Sequence, residues 1–363
     1  MLVEVVQRMA QRRSNVVSRG VQARAWLVAF GLLTSQFVAG ETYVLPSDGS
    51  NMVGEMRYVV ARQEDTFSDI ARRYSVGFNE LLHANPAVDP WVPGEGTKVV
   101  LPTRYVLPRA PRDGVILNIP EMRLYHFPKP NKGEPAVVVT YPVSVGRMEW
   151  NTPLGKTQVV KKQANPAWYP PASVRAEHAQ DGDVLPERVP AGPDNPLGLF
   201  ALRLGIPGYL IHGTNRPYGV GMRVTHGCVR LYPEDIKNLF DKIDVGTPVY
   251  IVNQPFKAGW SNEQIFFEAH LPLDEDAATK QNNKTPAVRA IVDVVAEASA
   301  VVDWEKVIAL ADASSGVPMP VSMAPVPLTT TLLRPIDASP SPAVKAKRNK
   351  ARPAKTTQAN PGL

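Results

Sequence analysis

At 363 residues the chain is long enough for two or three domains, and its 44% apolar content can fill their cores. Its thirty-six prolines are about twice average usage, which excludes a simple helical bundle and points to short strands, turns and linkers. The formal charge of +6 sits at the two ends, with five arginines against Glu4 in residues 1–24 and six Lys/Arg against Asp337 in residues 336–363. The intervening residues are net acidic, which argues against a nucleic-acid-binding domain and its basic patch.

Arg8, Arg12, Arg13, Arg19 and Arg24 precede an uncharged run, Ala25 to Phe37, and Val38-Ala39-Gly40 offers small residues for cleavage before Glu41. This pattern predicts an export signal over residues 1–40. Thr34, Ser35 and Gln36 dilute the run too much for a comfortable membrane span. An uncleaved N-terminal anchor is the alternative. Either way, residues 41–363 are expected in an oxidising compartment. Cys228 is the single cysteine, so it forms no internal disulfide. Such a thiol is either buried and inert or kept for its reactivity.

Residues 41–56 are polar and Gly/Ser-rich and read as a linker. Over residues 57–102, Tyr58-Val59-Val60 reads as a strand, and Asp65 and Thr66 cap a helix with Phe67, Ile70, Ala71 and Tyr74 at helical spacing. Asn79 is the expected cap of a second helix, with Leu81 and Leu82 inward. Asn85-Pro86 ends it, and Lys98 to Leu101 closes the unit as a strand. This β-α-α-β run, with Asp65-Thr66, Ile70-Ala71, Leu81 and Asn85-Pro86, resembles a LysM module. The resemblance implies binding to the N-acetylglucosamine backbone of peptidoglycan. Glu64 departs from the family, which has glycine before Asp-Thr. A small α+β packing domain without a glycan site is the alternative.

From Gly114 the chain turns β-rich. Val115-Ile116-Leu117, Met122 to Phe127, Ala136 to Val145, Val159-Val160 and Leu210-Ile211 read as strands. Residues 163–198 show Pro/Gly clusters without periodicity, a long loop of the kind that carries function. Pro233, Glu234 and Asp235 begin a helix with Ile236, Leu239, Phe240 and Ile243 on its inner face. Gly246 ends it, and Val249 to Val252 follows as a strand. In residues 255–316, helices are expected from Thr285-Pro286 to about Ala300 and from Asp303 to before Gly316. Residues 317–363, with nine prolines among Ala, Ser, Thr and Lys, read as a disordered basic tail. Its charge is either simply solvated or makes weak, salt-sensitive contact with acidic wall polymer or lipid headgroups.

The chemistry concentrates in Ile211-His212-Gly213-Thr214-Asn215 and Thr225-His226-Gly227-Cys228-Val229-Arg230. A thiol at its ordinary pKa is only a few per cent thiolate at neutral pH, so nucleophilic work needs a nearby base. His226 is two residues before Cys228, which makes contact possible but awkward. His212 ends an apolar strand and can be held rigidly by a neighbouring strand, so it is the favoured base. Gly227 allows close backbone approach, the amides of Gly227 and Cys228 can donate to an oxyanion, and Arg230 can hold a carboxylate. Zinc bound by two His and one Cys is a competing possibility, but the usual ligand spacings are missing.

His212-Gly213-Thr214, followed by Thr225-His226-Gly227-Cys228-Val229-Arg230, resembles the L,D-transpeptidase (YkuD) catalytic signature. The resemblance extends over residues 113–252 and includes Thr152-Pro153-Leu154-Gly155 and Asn195-Pro196-Leu197-Gly198. It implies a multidomain chain: the small α+β LysM module, a mostly β, sandwich-like catalytic domain, a small helical C-terminal extension over 255–316 and the disordered tail. It also implies Cys228 as nucleophile and His212 as proton acceptor and donor. His226, Gly227, Gly213 and Thr225 would support the thiol and the oxyanion, and Arg230 and Asn215 would bind substrate. Histidine before cysteine is opposite to the order in NlpC/P60 peptidases, and no G-x-S-x-G or S-x-x-K motif marks a serine enzyme.

The implied reaction attacks the L,D bond before the terminal D-Ala of a peptidoglycan tetrapeptide stem, forms a thioester and passes the stem to an amine. No cofactor and no metal are implied. The domain order resembles the periplasmic ErfK/YbiS group, whose acceptor is the C-terminal lysine of an outer-membrane lipoprotein. The alternatives are 3→3 cross-linking, hydrolysis of the same bond, and a wall-binding scaffold without activity.

Overall fold

The computed structural model describes residues 40–147, 152–273, 276, 283–295, 300–322 and 334–335. The expected signal segment, Gly40 apart, therefore lies outside the described residues, as does most of the tail. Among the described residues no helix is long and apolar enough to cross a membrane.

The first strands are β1 (Glu41–Val44) and β2 (Met52–Gly54). They correct the expectation of a linker over 41–56. β1 pairs antiparallel with a strand nearly a hundred residues away, Glu41 opposite Thr140, and lies at the edge of its sheet with Thr42 and Val44 exposed. Next come β3 (Arg57–Val60), α1 (Phe67–Arg73), α2 (Phe78–Ala84), β4 (Lys98–Leu101) and β5 (Arg104–Val106). The β-α-α-β order is as read.

Thr66 caps α1 in a reciprocal box with Asp69, and Phe67, Ile70 and Ala71 are fully buried. The cap of α2 is Gly77 rather than Asn79, because the Glu80 carboxylate accepts the Gly77 amide at 2.9 Å. Asn85 ends α2 and stitches it to β4, donating to the carbonyls of Leu81 and Val100 and accepting the Val100 amide at 2.7 Å.

The β-rich region from Gly114 contributes β6 (Gly114–Asn118), β7 (Arg123–Phe127), β8 (Val137–Pro142), β9 (Val145–Gly146), β10 (Gly155–Ala164), α3 (Ala172–Gln180), β11 (Phe200–Leu204), β12 (Leu210–His212), β13 (Arg223–Thr225), β14 (Val229–Arg230), α4 (Pro233–Lys242) and β15 (Pro248–Val252). Nine strands form one sheet in the order β1-β8-β7-β6-β15-β10-β11-β12-β14. β10 pairs with β15 through Gly155–Gln158 and with β11 through Val159–Ala164, with a register shift after Val159, so the sheet curls along this strand. Val115, Leu117, Leu202, Ile211, Val229 and Ile251 form the core with Ile236, Leu239 and Ile243 of α4. The loop expected over 163–198 contains α3, and β11 adds a strand that the reading missed.

The C-terminal extension is α+β rather than helical. A hairpin of β16 (Phe256–Ser261) and β17 (Gln264–Ala269) turns at Asn262 and Glu263, both at positive φ, and carries α5 (Thr285–Val295) and α6 (Trp304–Ala313). The tail reading from 317 is also corrected. β18 (Met319–Pro320) pairs with β17, and β19 (Arg334–Pro335) pairs parallel with β3.

The β-α-α-β unit packs on the nine-stranded sheet region through one buried and one exposed ion pair. Arg123 closes on Glu80 with Nε–Oε1 at 2.9 Å and Nη2–Oε2 at 2.5 Å, and Arg72 grips Glu234 at 2.8 and 2.9 Å. The amides of Phe78 and Asn79 donate to the carbonyls of Val220 and Gly221. Gly221 is at φ +88°, where a Cβ would lie 2.3 Å from the Phe78 nitrogen, so this approach requires glycine.

Candidate active site

β12 and β14 run parallel and adjacent, with Ile211 opposite Val229 and His212 opposite Arg230. Cys228 immediately precedes β14, so the sheet places the cysteine and the strand-borne histidine on neighbouring strands. The residues between them form a crossover that contains a 3-10 turn at Pro217–Gly219 and β13, which pairs with β9.

The free thiol of Cys228 points to the Gly208 carbonyl, 3.7 Å from Sγ. Burial pushes the thiol up, while the Leu210 amide and the Arg230 charge oppose that shift. His212 is almost fully buried, and its Nδ1 lies 2.7 Å from the Gly213 carbonyl. A carbonyl only accepts, so Nδ1 carries the proton of the neutral ring and Nε2 is the basic nitrogen. Burial, with the Arg230 charge second, pushes His212 down to about 3, against the carbonyls of Gly213 and Leu197. At neutral pH the pair is thus thiol and imidazole rather than a standing thiolate–imidazolium pair.

His226 is turned elsewhere. Its Nε2 lies 3.0 Å from Glu177 Oε2 of α3 and 3.3 Å from Arg147 Nη2. The two histidines thus face different partners. Thr225 is buried and its Oγ1 donates to the Cys228 carbonyl at 2.6 Å, closing the turn before the thiol. Gly227 sits at φ +93° with its carbonyl accepting from Thr152 Oγ1 at 2.9 Å. Gly213 leaves room for α4, since a Cβ there would be 3.0 Å from Ile236 Cγ2.

Arg230 exchanges backbone hydrogen bonds with Ser144, and its buried Nε has no hydrogen-bond partner. Burial and the neighbouring Arg216 push its guanidinium down from the usual range. Asn215 is exposed and donates to the Asp194 carbonyl at 3.0 Å, tying the crossover to the end of the long loop. That loop is pinned by Asn195, which is fully buried. Its Nδ2 donates to the carbonyls of Pro166 and Pro190 at 2.9 Å, and its Oδ1 accepts the Leu197 amide.

Arg147 and Glu177 were missed from sequence. The one cue was the placement of Glu177 in a loop already marked as functional, and nothing local tied it to His226. A separate cluster, Glu121, Glu268 and His270, has metal-like proximity. The Lys257 ammonium lies between its carboxylates, 2.8 Å from Glu121 and 2.7 Å from Glu268, and supplies the cation.

Residues 112–251 match the YkuD family model, the L,D-transpeptidase catalytic domain. The chain is 43% identical over 260 residues to the probable L,D-transpeptidase YcfS of Escherichia coli (strain K12), covering 69% of this chain and 80% of that protein. It is 37% identical over 303 residues to the probable L,D-transpeptidase ErfK/SrfK of Salmonella typhimurium, covering 81% and 95%. Against the probable L,D-transpeptidase YbiS of Escherichia coli (strain K12) it is 41% identical over 241 residues, covering 65% and 77%.

Proposed function

The chain belongs to the L,D-transpeptidase family, and from that premise we propose that Cys228 is the nucleophile and His212 the base of a two-step acyl transfer on peptidoglycan tetrapeptide stems. One observation carries the assignment: His212 lies on the strand beside Cys228 with Nδ1 committed to the Gly213 carbonyl, which leaves Nε2 to take the thiol proton.

Cys228 Sγ attacks the carbonyl of the residue before the terminal D-Ala as His212 Nε2 accepts the thiol proton. The tetrahedral oxyanion is stabilised by the amides of Gly227 and Cys228, in a turn held by Thr225 and Thr152. His212 then protonates the departing D-Ala amine, leaving the stem as a thioester. An acceptor amine gives a proton to His212, attacks the thioester carbonyl and releases the thiol. Arg230 holds a substrate carboxylate, Asn215 steadies the loop over the site, and Gly213 lets that loop and α4 close behind His212.

The acceptor in this proposal is the C-terminal lysine of an outer-membrane lipoprotein, the acceptor that the resemblance in domain order implies. A second stem or water would give 3→3 cross-linking or hydrolysis at the same thioester. The chain is exported to the periplasm. The β-α-α-β unit acts as a LysM module on the glycan, a reading supported by its element order and by the exposed Trp91 and Val92 beside the start of α1.

Intact mass spectrometry of residues 41–363 with a disaccharide-tetrapeptide tests the donor step. The expected adduct is the stem minus D-Ala, on the wild type and not on Cys228→Ala. Release of D-Ala by the Cys228→Ala variant would sink the assignment. Discharge by a lysine-ended peptide, and not by a second stem, supports the lipoprotein acceptor.

A further inference from the structure

Two residues before the nucleophile, the scaffold builds a second cationic site, and it is already occupied. Arg147 follows β9, and its amide donates to the Thr225 carbonyl at 3.1 Å, which sets its side chain beside His226. Arg147 Nη2 and His226 Nε2 are 3.3 Å apart. The Glu177 carboxylate places one oxygen on each, Oε1 on Arg147 and Oε2 at 3.0 Å from His226. All three side chains are about one-third exposed, at 35%, 32% and 28%, so solvent and ligands reach the site. Arg147 Nε is buried with no hydrogen-bond partner, a donor that the present occupant leaves unused.

The cradle and its occupant differ in how they are held. Arg147 directly follows β9 and is tied by its amide to the Thr225 carbonyl, and His226 lies in the turn that carries Cys228. Glu177 belongs to α3, whose only buried residue is Val174. Besides the Glu177 contact, α3 rests the His178 ring on His226 at 6.2 Å between ring centroids, and it carries a longer Arg175–Glu187 pair at 3.3 Å and a His178–Asp183 bond within its own loop. A rigid two-point carboxylate receptor is thus filled by a carboxylate on a lightly anchored helix. Along the chain, Cys228 lies between His226 of this receptor and Arg230. Two residues span at most about 7 Å, so His226, with Arg147 3.3 Å from its Nε2, lies within a residue or two of a scissile carbonyl that meets Cys228.

We propose that Arg147 and His226 form a subsite for a carboxylate of the donor stem, and that Glu177 occupies it in the free enzyme and yields it when the stem binds. This rests on the stem being the donor. The chemistry needed is any carboxylate presented beside the scissile bond, either the terminal D-Ala carboxylate or an internal one.

Binding and chemistry are separated in the test. In a Cys228→Ala background, calorimetry with the free-acid stem is expected to show about tenfold weaker binding when Arg147→Gln is added. A stem amidated at the recognised carboxylate should lose that sensitivity, so stems amidated at D-Ala and at the internal position identify which group is held. Glu177→Gln should tighten binding of the free acid, because the internal competitor is gone. Equal weakening of all three stems by Arg147→Gln, or weaker binding on Glu177→Gln, would mean that the cluster only anchors α3 and would overturn the subsite. The same stems on the wild-type cysteine report the thioester, so a failed donor step shows as missing adduct whatever the calorimetry gives.

Discussion

His212 donates from Nδ1 to the carbonyl of the residue that follows it, Gly213, at 2.7 Å. This one bond settles which ring nitrogen is basic, and burial then keeps the ring neutral far below the usual histidine range.

The pH profile follows from that displacement. A histidine held near 3 is already in its base form at pH 5, so kcat/KM for thioester formation should not fall between pH 7 and pH 5 through His212 protonation. An acid-side inflection that vanishes in His226→Gln but not in His212→Gln would reverse the assignment. His212→Gln itself should slow acylation by roughly 10²–10⁴ with the fold intact by circular dichroism.

Arg123 and Glu80 join the β-alpha-alpha-β unit to the catalytic sheet, and Arg123 has no exposed side-chain surface. Glu80→Ala leaves that guanidinium without its counter-ion, and urea unfolding should show a loss of about 3–5 kcal/mol. Arg123→Met with Glu80→Leu removes both charges and should recover much of the loss. A Glu80→Ala variant as stable as wild type would show that the interface gains nothing from the pair.

Asp235 is buried in the first turn of α4. Its Oδ1 accepts the Gly40 amide at 2.9 Å, and its Oδ2 has no hydrogen-bond partner. Burial, with Glu234 second, pushes its carboxyl up to about 8. Unfolded, the same group loses its proton near 3.8. Between these values the folded state binds the extra proton, so stability falls as pH rises. Asp235→Asn should flatten that part of the profile in thermal unfolding. A chain beginning at Gly40 should flatten it as well, because a free α-ammonium there would keep the carboxylate ionised. An unchanged slope in both would place the pH dependence elsewhere.

Trp91 is 62% exposed and packs its ring on Phe78 at 5.6 Å. If the β-alpha-alpha-β unit grips glycan, Trp91→Ala should reduce co-sedimentation with purified sacculi and leave acylation of a soluble tetrapeptide unchanged. Full sedimentation of the variant would remove Trp91 from the glycan contact.

Local chemistry made much of this protein legible in its sequence. The Thr66–Asp69 box, the spacing of Phe67, Ile70 and Ala71, and the Asn85-Pro86 stop act within a few residues, so the β-α-α-β order could be read directly. Cys228 stood out because it is the single cysteine, and the β-branched runs around Val115 and Val138 announced buried strands. Only the tertiary structure decided the rest, because the deciding contacts are distant in sequence. β1 reads as a linker until β8 pairs with it. α3 buries Val174 alone, so it has no apolar periodicity to detect. The apolar run before His212 already favoured it over His226 as base, but the partners of the two rings are set only in the fold, where one meets the Gly213 carbonyl on a buried strand and the other meets Glu177 from a helix 49 residues earlier.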